Sequence, residues 1–63
     1  MTFLEYDWTY NVYRPRFGKS FISVDGHRYF DSLEQAKQVL ARRKLRLGRK
    51  TDTRTWAVEI DAD

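Results

Sequence analysis

The stretch Asp31-Ser32-Leu33-Glu34-Gln35-Ala36-Lys37-Gln38-Val39-Leu40-Ala41-Arg42-Arg43-Lys44-Leu45-Arg46-Leu47-Gly48 decides the fold. Here the apolar period lengthens from that of a strand to that of a helix. Leu33, Ala36, Leu40 and Leu47 fall on one stripe, with Val39 at its edge. Asp31 with Glu34, or Ser32 with Gln35, has capping-box spacing. Gly48 is the expected stop. A helix with a single apolar face needs a partner layer, and the rest of the chain supplies strands.

Upstream, Leu4, Tyr6, Trp8, Tyr10 and Val12 alternate with Glu5, Asp7, Thr9 and Asn11. Period two with aromatic and β-branched residues predicts a half-buried first strand. The stretch Arg14-Pro15-Arg16-Phe17-Gly18-Lys19 is expected to turn the chain. A second strand follows over Ser20–Val24, with Ile22 and Val24 inward. Asp25-Gly26 is a hairpin signal leading to a short third strand, His27–Phe30, whose inward residue is either Tyr29 or Phe30. Downstream, residues 49–54 read as a basic loop. Trp56, Val58 and Ile60 then alternate with Ala57, Glu59 and Asp61 as a last strand. The expectation is α+β in the order β-β-β-α-β: a small antiparallel sheet of three to four strands with one helix on one face. The other face stays at least partly open. The expected core is Tyr6, Trp8, Tyr10, Val12, Ile22, Val24, Leu33, Ala36, Leu40, Trp56, Val58 and Ile60.

Sixty-three residues make one domain, 1–63. A chain this short buries only about 60% of the surface its unfolded form exposes, so its four Phe, four Tyr and two Trp must supply much of the core. It has no cysteine, which favours the cytoplasm over an oxidising compartment. No apolar run reaches the length of a membrane helix, and the N-terminus lacks the pattern of a secretory leader. His27 is the sole histidine, so no metal site and no cofactor is expected. Asp25, Asp31 and Asp52 have turn and cap explanations, and no phosphate-cradling glycine loop is present. A non-catalytic protein is expected.

Charge points to a partner class. The chain is +3 overall, yet Arg42, Arg43, Lys44, Arg46, Arg49, Lys50 and Arg54 are crowded together against the single acid Asp52. Both ends are acidic, through Glu5 and Asp7, then Glu59, Asp61 and Asp63. Arg42 and Arg46, on the helix side away from the leucine stripe, and Arg49 and Lys50, in the loop, are candidate phosphate clamps. A solvated face, helix-end charge complementation and an acidic protein partner are the competing readings. A second cluster, Arg14, Arg16, Lys19 and Phe21 with Tyr13, interleaves cations and aromatics at the first hairpin. Such a ribbon can contact phosphates or read base edges in a major groove. The competing reading is a charged edge that prevents strand-to-strand aggregation.

The run Tyr10-Asn11-Val12-Tyr13-Arg14-Pro15-Arg16-Phe17-Gly18-Lys19-Ser20-Phe21, followed by Phe30-Asp31-Ser32-Leu33-Glu34-Gln35-Ala36, resembles AP2-type DNA-binding domains and the related arm-binding domains of tyrosine recombinases. The resemblance covers about residues 10–40. It implies a three-stranded sheet whose open face enters the major groove, with Arg14, Arg16, Phe21 and Arg28 near duplex DNA. His27-Arg28-Tyr29 departs from that family's usual Leu-Gly, and the strand Trp56–Asp61 has no counterpart there. The reading is a non-catalytic DNA-binding module. The alternative is a small inhibitor or adaptor, of the kind that phages and mobile elements encode, docking on a larger cytoplasmic protein. A single module buries only about 600–1,000 Å² on DNA, so tight binding would call for a dimer or a partner protein.

Overall fold

The computed structural model describes residues 1–61, and Asp63 of the acidic C-terminus lies outside them. Six elements follow one another: β1 (Thr2–Asp7), β2 (Val12–Phe17), β3 (Ser20–Phe21), α1 (Leu33–Arg42), β4 (Leu45–Asp52) and β5 (Thr55–Ile60). The fold is α+β, as expected, but the sheet has five strands in the order β3-β2-β1-β5-β4. All its pairings are antiparallel. The chain order is therefore β-β-β-α-β-β rather than β-β-β-α-β. Among the described residues no helix is long and apolar enough to cross a membrane.

Three expectations about the elements are corrected. First, the alternation over 4–12 is two strands with a turn between them, since Asp7 pairs directly with Val12. Asp7 Oδ1 accepts from the Thr9 N–H at 3.0 Å. Asn11 takes φ 55, and its Oδ1 accepts from the Tyr6 hydroxyl at 2.6 Å. These local bonds reverse the chain, and they lift Trp8 and Tyr10 out of the expected core, leaving them 65% and 73% exposed.

Second, Arg14-Pro15-Arg16-Phe17 is the body of β2, and the turn is Gly18-Lys19 alone, closing the Phe17–Ser20 pair. Gly18 has φ 60; positive φ at the first central position alone is the II′ pattern. Pro15 fits inside a strand because its peptide groups face away from β1. Its carbonyl accepts from the Ile22 N–H at 3.0 Å, and the N–H it lacks would point to the same side, where β3 has already ended. The expected third strand, His27–Phe30, shrinks to two isolated bridges, Val24 with His27 and Tyr13 with Phe30. Asp25 and Gly26, at φ 51 and 82, make the expected tight turn.

Third, α1 ends at Arg42 rather than at Gly48. Its start is as expected: the Gln35 N–H donates to Ser32 Oγ at 3.1 Å, and Gln35 Oε1 accepts from the Asp31 N–H at 2.7 Å. At the far end the Lys44 N–H reaches the Ala41 carbonyl at 3.1 Å, with Lys44 at φ 58. A lysine thus fills the left-handed position usually given to glycine. Leu47 continues the helical stripe on paper, yet in β4 Leu45 and Leu47 pair with Ile60 and Val58. Residues 49–54, expected as a loop, become the end of β4 and a short turn. Pairing with β5 satisfies the backbone groups along that strand's outer edge, which a longer helix would leave without partners.

The core lies between α1 and one sheet face. Leu4, Val24, Phe30, Ala36, Val39 and Leu40 form the buried cluster, with Tyr13, Ile22, Leu33, Leu45, Leu47, Trp56 and Val58 packed against it. Phe30, not Tyr29, is the inward residue: it is fully buried while Tyr29 is 55% exposed. His27 stacks on it at 5.7 Å between centroids. Ile60, expected inside, is 73% exposed. Val12 lies opposite Asp7, on the other sheet face.

Ser32→Ala should cost about 1 kcal/mol. Lys44→Gly should add about 0.5–1 kcal/mol, by relieving the left-handed lysine. Urea unfolding followed by circular dichroism reads both, and a destabilising Lys44→Gly would contradict this helix end.

Candidate functional site

In an antiparallel pair, directly opposed residues share a face. Leu4 sits opposite Pro15 and Trp56, which defines the helix-covered side. Phe3, Glu5, Asp7, Arg14, Arg16, Ala57, Thr55, Phe21, Glu59 and Arg46 fall on the open side. The added strand β5 pairs with β1, so the open face survives and is widened by β4.

That face is two-signed and internally paired. Arg16 Nε lies 2.8 Å from Glu5 Oε1, and the same guanidinium stands 4.7 Å over the Phe3 ring and donates to the Gly18 carbonyl. Arg14 reaches Asp7 at 3.5 Å while stacking 3.7 Å over Phe21. Arg46 bridges Glu59 at 3.1 Å and Asp61 at 3.3 Å. Gly48 lies beneath the Glu59 side chain, whose Cγ would be 2.9 Å from a β-carbon there. Gly48 is thus a seat for this ion pair rather than a helix stop. Thr55 and Ala57 are buried although no helix covers them. They are small, and Phe3 and Glu5 pair directly with them.

Each residue singled out in the sequence can now be placed. Arg14, Arg16 and Phe21 come together on the open face, with the arginines already bound to carboxylates. Arg46 stands on the same face but on β4, not on the helix. Arg42 remains on the helix, 3.5 Å from Asp25, and Arg43 contacts the same carboxylate at 3.5 Å. Among the described residues Lys19, Arg28, Arg49, Lys50 and Arg54 have no carboxylate within ion-pair distance. The C-terminal basic cluster is split: Arg42 and Arg43 meet Asp25 from the helix, while Arg46 shares the open face with Arg14 and Arg16 but stands at the opposite edge of the sheet.

A different cluster forms at the end of the sheet where the β1–β2 and β4–β5 turns meet. The Tyr6 N–H donates to the Arg54 carbonyl at 2.7 Å, which locks the turns together. The Arg54 guanidinium stands 5.7 Å from the centre of the Trp8 ring. Lys50 Nζ lies 5.1 Å from that of Trp56, the last member of a half-buried ladder Tyr6–Tyr13–Trp56. Next to it, the bridge between Tyr13 and Phe30 carries Arg28 and Tyr29 to the β2 edge. There Tyr10, Val12, Arg14, Arg28, Tyr29 and Asp31 line a shallow groove of about 690 Å³. Trp8, Tyr10, Tyr29 and Arg54 were not among the sequence candidates for a site. The signal that could have found Trp8 and Tyr10 is the pair of turn-forming residues framing them, Asp7 and Asn11.

Among the described residues no group of three or more His, Cys, Asp or Glu side chains is placed to hold a metal ion. Comparison with protein-family models, with curated proteins and with solved structures returned no match.

The half-exposed ion pairs of this face should be weak. A double-mutant cycle of Glu5→Gln and Arg16→Gln, read by urea unfolding, should give a coupling of about 0.2–1 kcal/mol that shrinks with added salt. A salt-independent coupling well above that range would mean the pair is far better shielded than its geometry implies.

Proposed function

We propose that this chain is a non-catalytic nucleic-acid-binding module whose contact surface is the aromatic, basic end of the sheet. One observation carries the reading: Trp8, Tyr10 and Tyr29 stand exposed beside Arg28 and Arg54, cations that no acid among the described residues engages. Exposed rings that share one groove, as Tyr10 and Tyr29 do, form the kind of contiguous patch that marks an interaction surface. Cations supply phosphate attraction, and rings supply faces on which bases stack. The open sheet face is the weaker candidate, because Arg14, Arg16 and Arg46 already face Glu5, Asp7, Glu59 and Asp61. A phosphate there would have to displace a carboxylate from each arginine. Arg49 and Lys50 remain candidate phosphate contacts on β4. A cytoplasmic location accompanies this reading.

The two-signed open face favours a second reading, docking on a protein surface of matching charge alternation, with Phe3 and Phe21 as its apolar contacts. Such a surface gives orientation and specificity more than affinity.

Fluorescence anisotropy of a short labelled oligonucleotide, titrated at low and near-physiological salt, separates the two. Binding should weaken steeply with salt. Arg28→Ala with Arg54→Ala should reduce the slope of log K against log salt by about 0.7–0.9 per arginine. Arg16→Ala should leave it unchanged. No binding at low salt would remove the nucleic-acid reading, and the partner would then be sought as a protein.

A further inference from the structure

Two shallow grooves meet at the β2 edge. One is the groove between Tyr10 and Tyr29; the other, of about 650 Å³, is lined by Arg14, Phe21, Ile22, Ser23 and Arg28. Arg14 and Arg28 belong to both. They therefore form one track, with aromatic rings at either end and two guanidiniums at its middle. We propose that this track takes an unpaired nucleic-acid strand of about two or three nucleotides, with one base stacked at Tyr10 and Tyr29 and the backbone passing Arg28. This rests on the nucleic-acid reading above and specifies the form of the target.

Single-strandedness follows from the rings. In a duplex both faces of each base are covered by its neighbours, so a protruding tyrosine finds no face to stack on; in a single strand it does. Tyr10 and Tyr29 are 73% and 55% exposed, and among the described residues neither stacks on another ring. The backbone that carries them is held from below: at Tyr10 by the Asp7–Asn11 turn, and at Tyr29 by the paired 2.8 Å hydrogen bonds between Tyr13 and Phe30. With the backbone already ordered, binding orders only the two ring torsions of each tyrosine, which limits its entropic cost. Arg14 is held by Asp7 at 3.5 Å and stands 3.7 Å over the Phe21 ring, so at the junction its charge is already partnered. Arg28 is the cation left for phosphate. Asp31, the carboxylate on the track, repels phosphate but can accept from the exocyclic amine of a base. That orients a bound strand with its backbone toward Arg28 and a base edge toward Asp31.

The test is anisotropy with a labelled mixed-sequence single strand of about twelve nucleotides and with the same sequence as a duplex. Wild type is compared with Tyr10→Ala/Tyr29→Ala and with Tyr10→Phe/Tyr29→Phe. Both rings are exposed, so circular dichroism and thermal unfolding should show each variant folded. The expected result is that the single strand binds about tenfold or more tighter than the duplex. The alanine pair should lose about tenfold on the single strand, and the phenylalanine pair should keep it. Equal affinity for single strand and duplex, or an alanine pair that binds the single strand as wild type does, would overturn this inference while leaving nucleic-acid binding intact. Binding to neither probe at low salt would overturn both and assign the exposed rings to a protein interface.

Discussion

Leu4 is the point on which the structure turns. It is fully buried, lies opposite Pro15 on one side and Trp56 on the other, and packs in one cluster with Ala36, Val39 and Leu40 of the helix. Its strand, β1, is central, so within the sheet the N-terminal hairpin and the C-terminal hairpin are hydrogen-bonded to each other only through it. Pairing β1 with β5 brings together opposite ends of the chain, and loop-closure entropy opposes that contact until the helix and its apolar stripe are in place. In a chain of 63 residues, with a core this thin, no second layer can substitute for that junction.

Charge is sorted beside that junction. The β1–β2 hairpin sets an acidic strand against an arginine strand, and on the open face the two signs cancel locally through Glu5–Arg16 and Asp7–Arg14. Each pair contributes little stability at such exposure. Their larger effect is on recognition, since an arginine already facing a carboxylate is a poor phosphate ligand. The cations left over lie on the turns and at the sheet edges. There they sit beside aromatic rings that the turns hold out in water, and the balance of charge and exposed ring therefore shifts from the face of the sheet to its end and rim.

Local signals were legible where chemistry acts over a few residues. The Ser32–Gln35 cap, the Asp25-Gly26 turn, the inward Ile22 and Val24, and the alternation of β5 can each be read from neighbours within one or two turns of chain. Residues 4–12 and 43–54 were misread for a common reason: their apolar spacing fits two structures. Tyr10 and Val12 continue a strand pattern across a turn, because hydrophobic period does not register Asp7 and Asn11 closing on themselves. Leu47 fits a helical stripe and a strand alternation equally well, and only the partners offered by Val58 and Ile60 decide between them. The candidate site suffered accordingly. Trp8 and Tyr10 were counted as core because a continuous strand would have buried them, and Arg46 was placed on a helix that ends before it.

By itself, the sequence determined an α+β domain with one helix capped at Asp31 or Ser32, a half-open sheet and a surplus of positive charge, because these depend on composition and short-range spacing. Only the tertiary structure decided that β5 inserts beside β1, that Lys44 rather than Gly48 ends the helix, and that the arginines of β2 are neutralised by the acids of β1. It also decided which rings face water. The physical reason is that strand pairing and ion pairing are choices among distant partners, and their free energies appear only once the backbone has brought those partners within a few ångströms of each other.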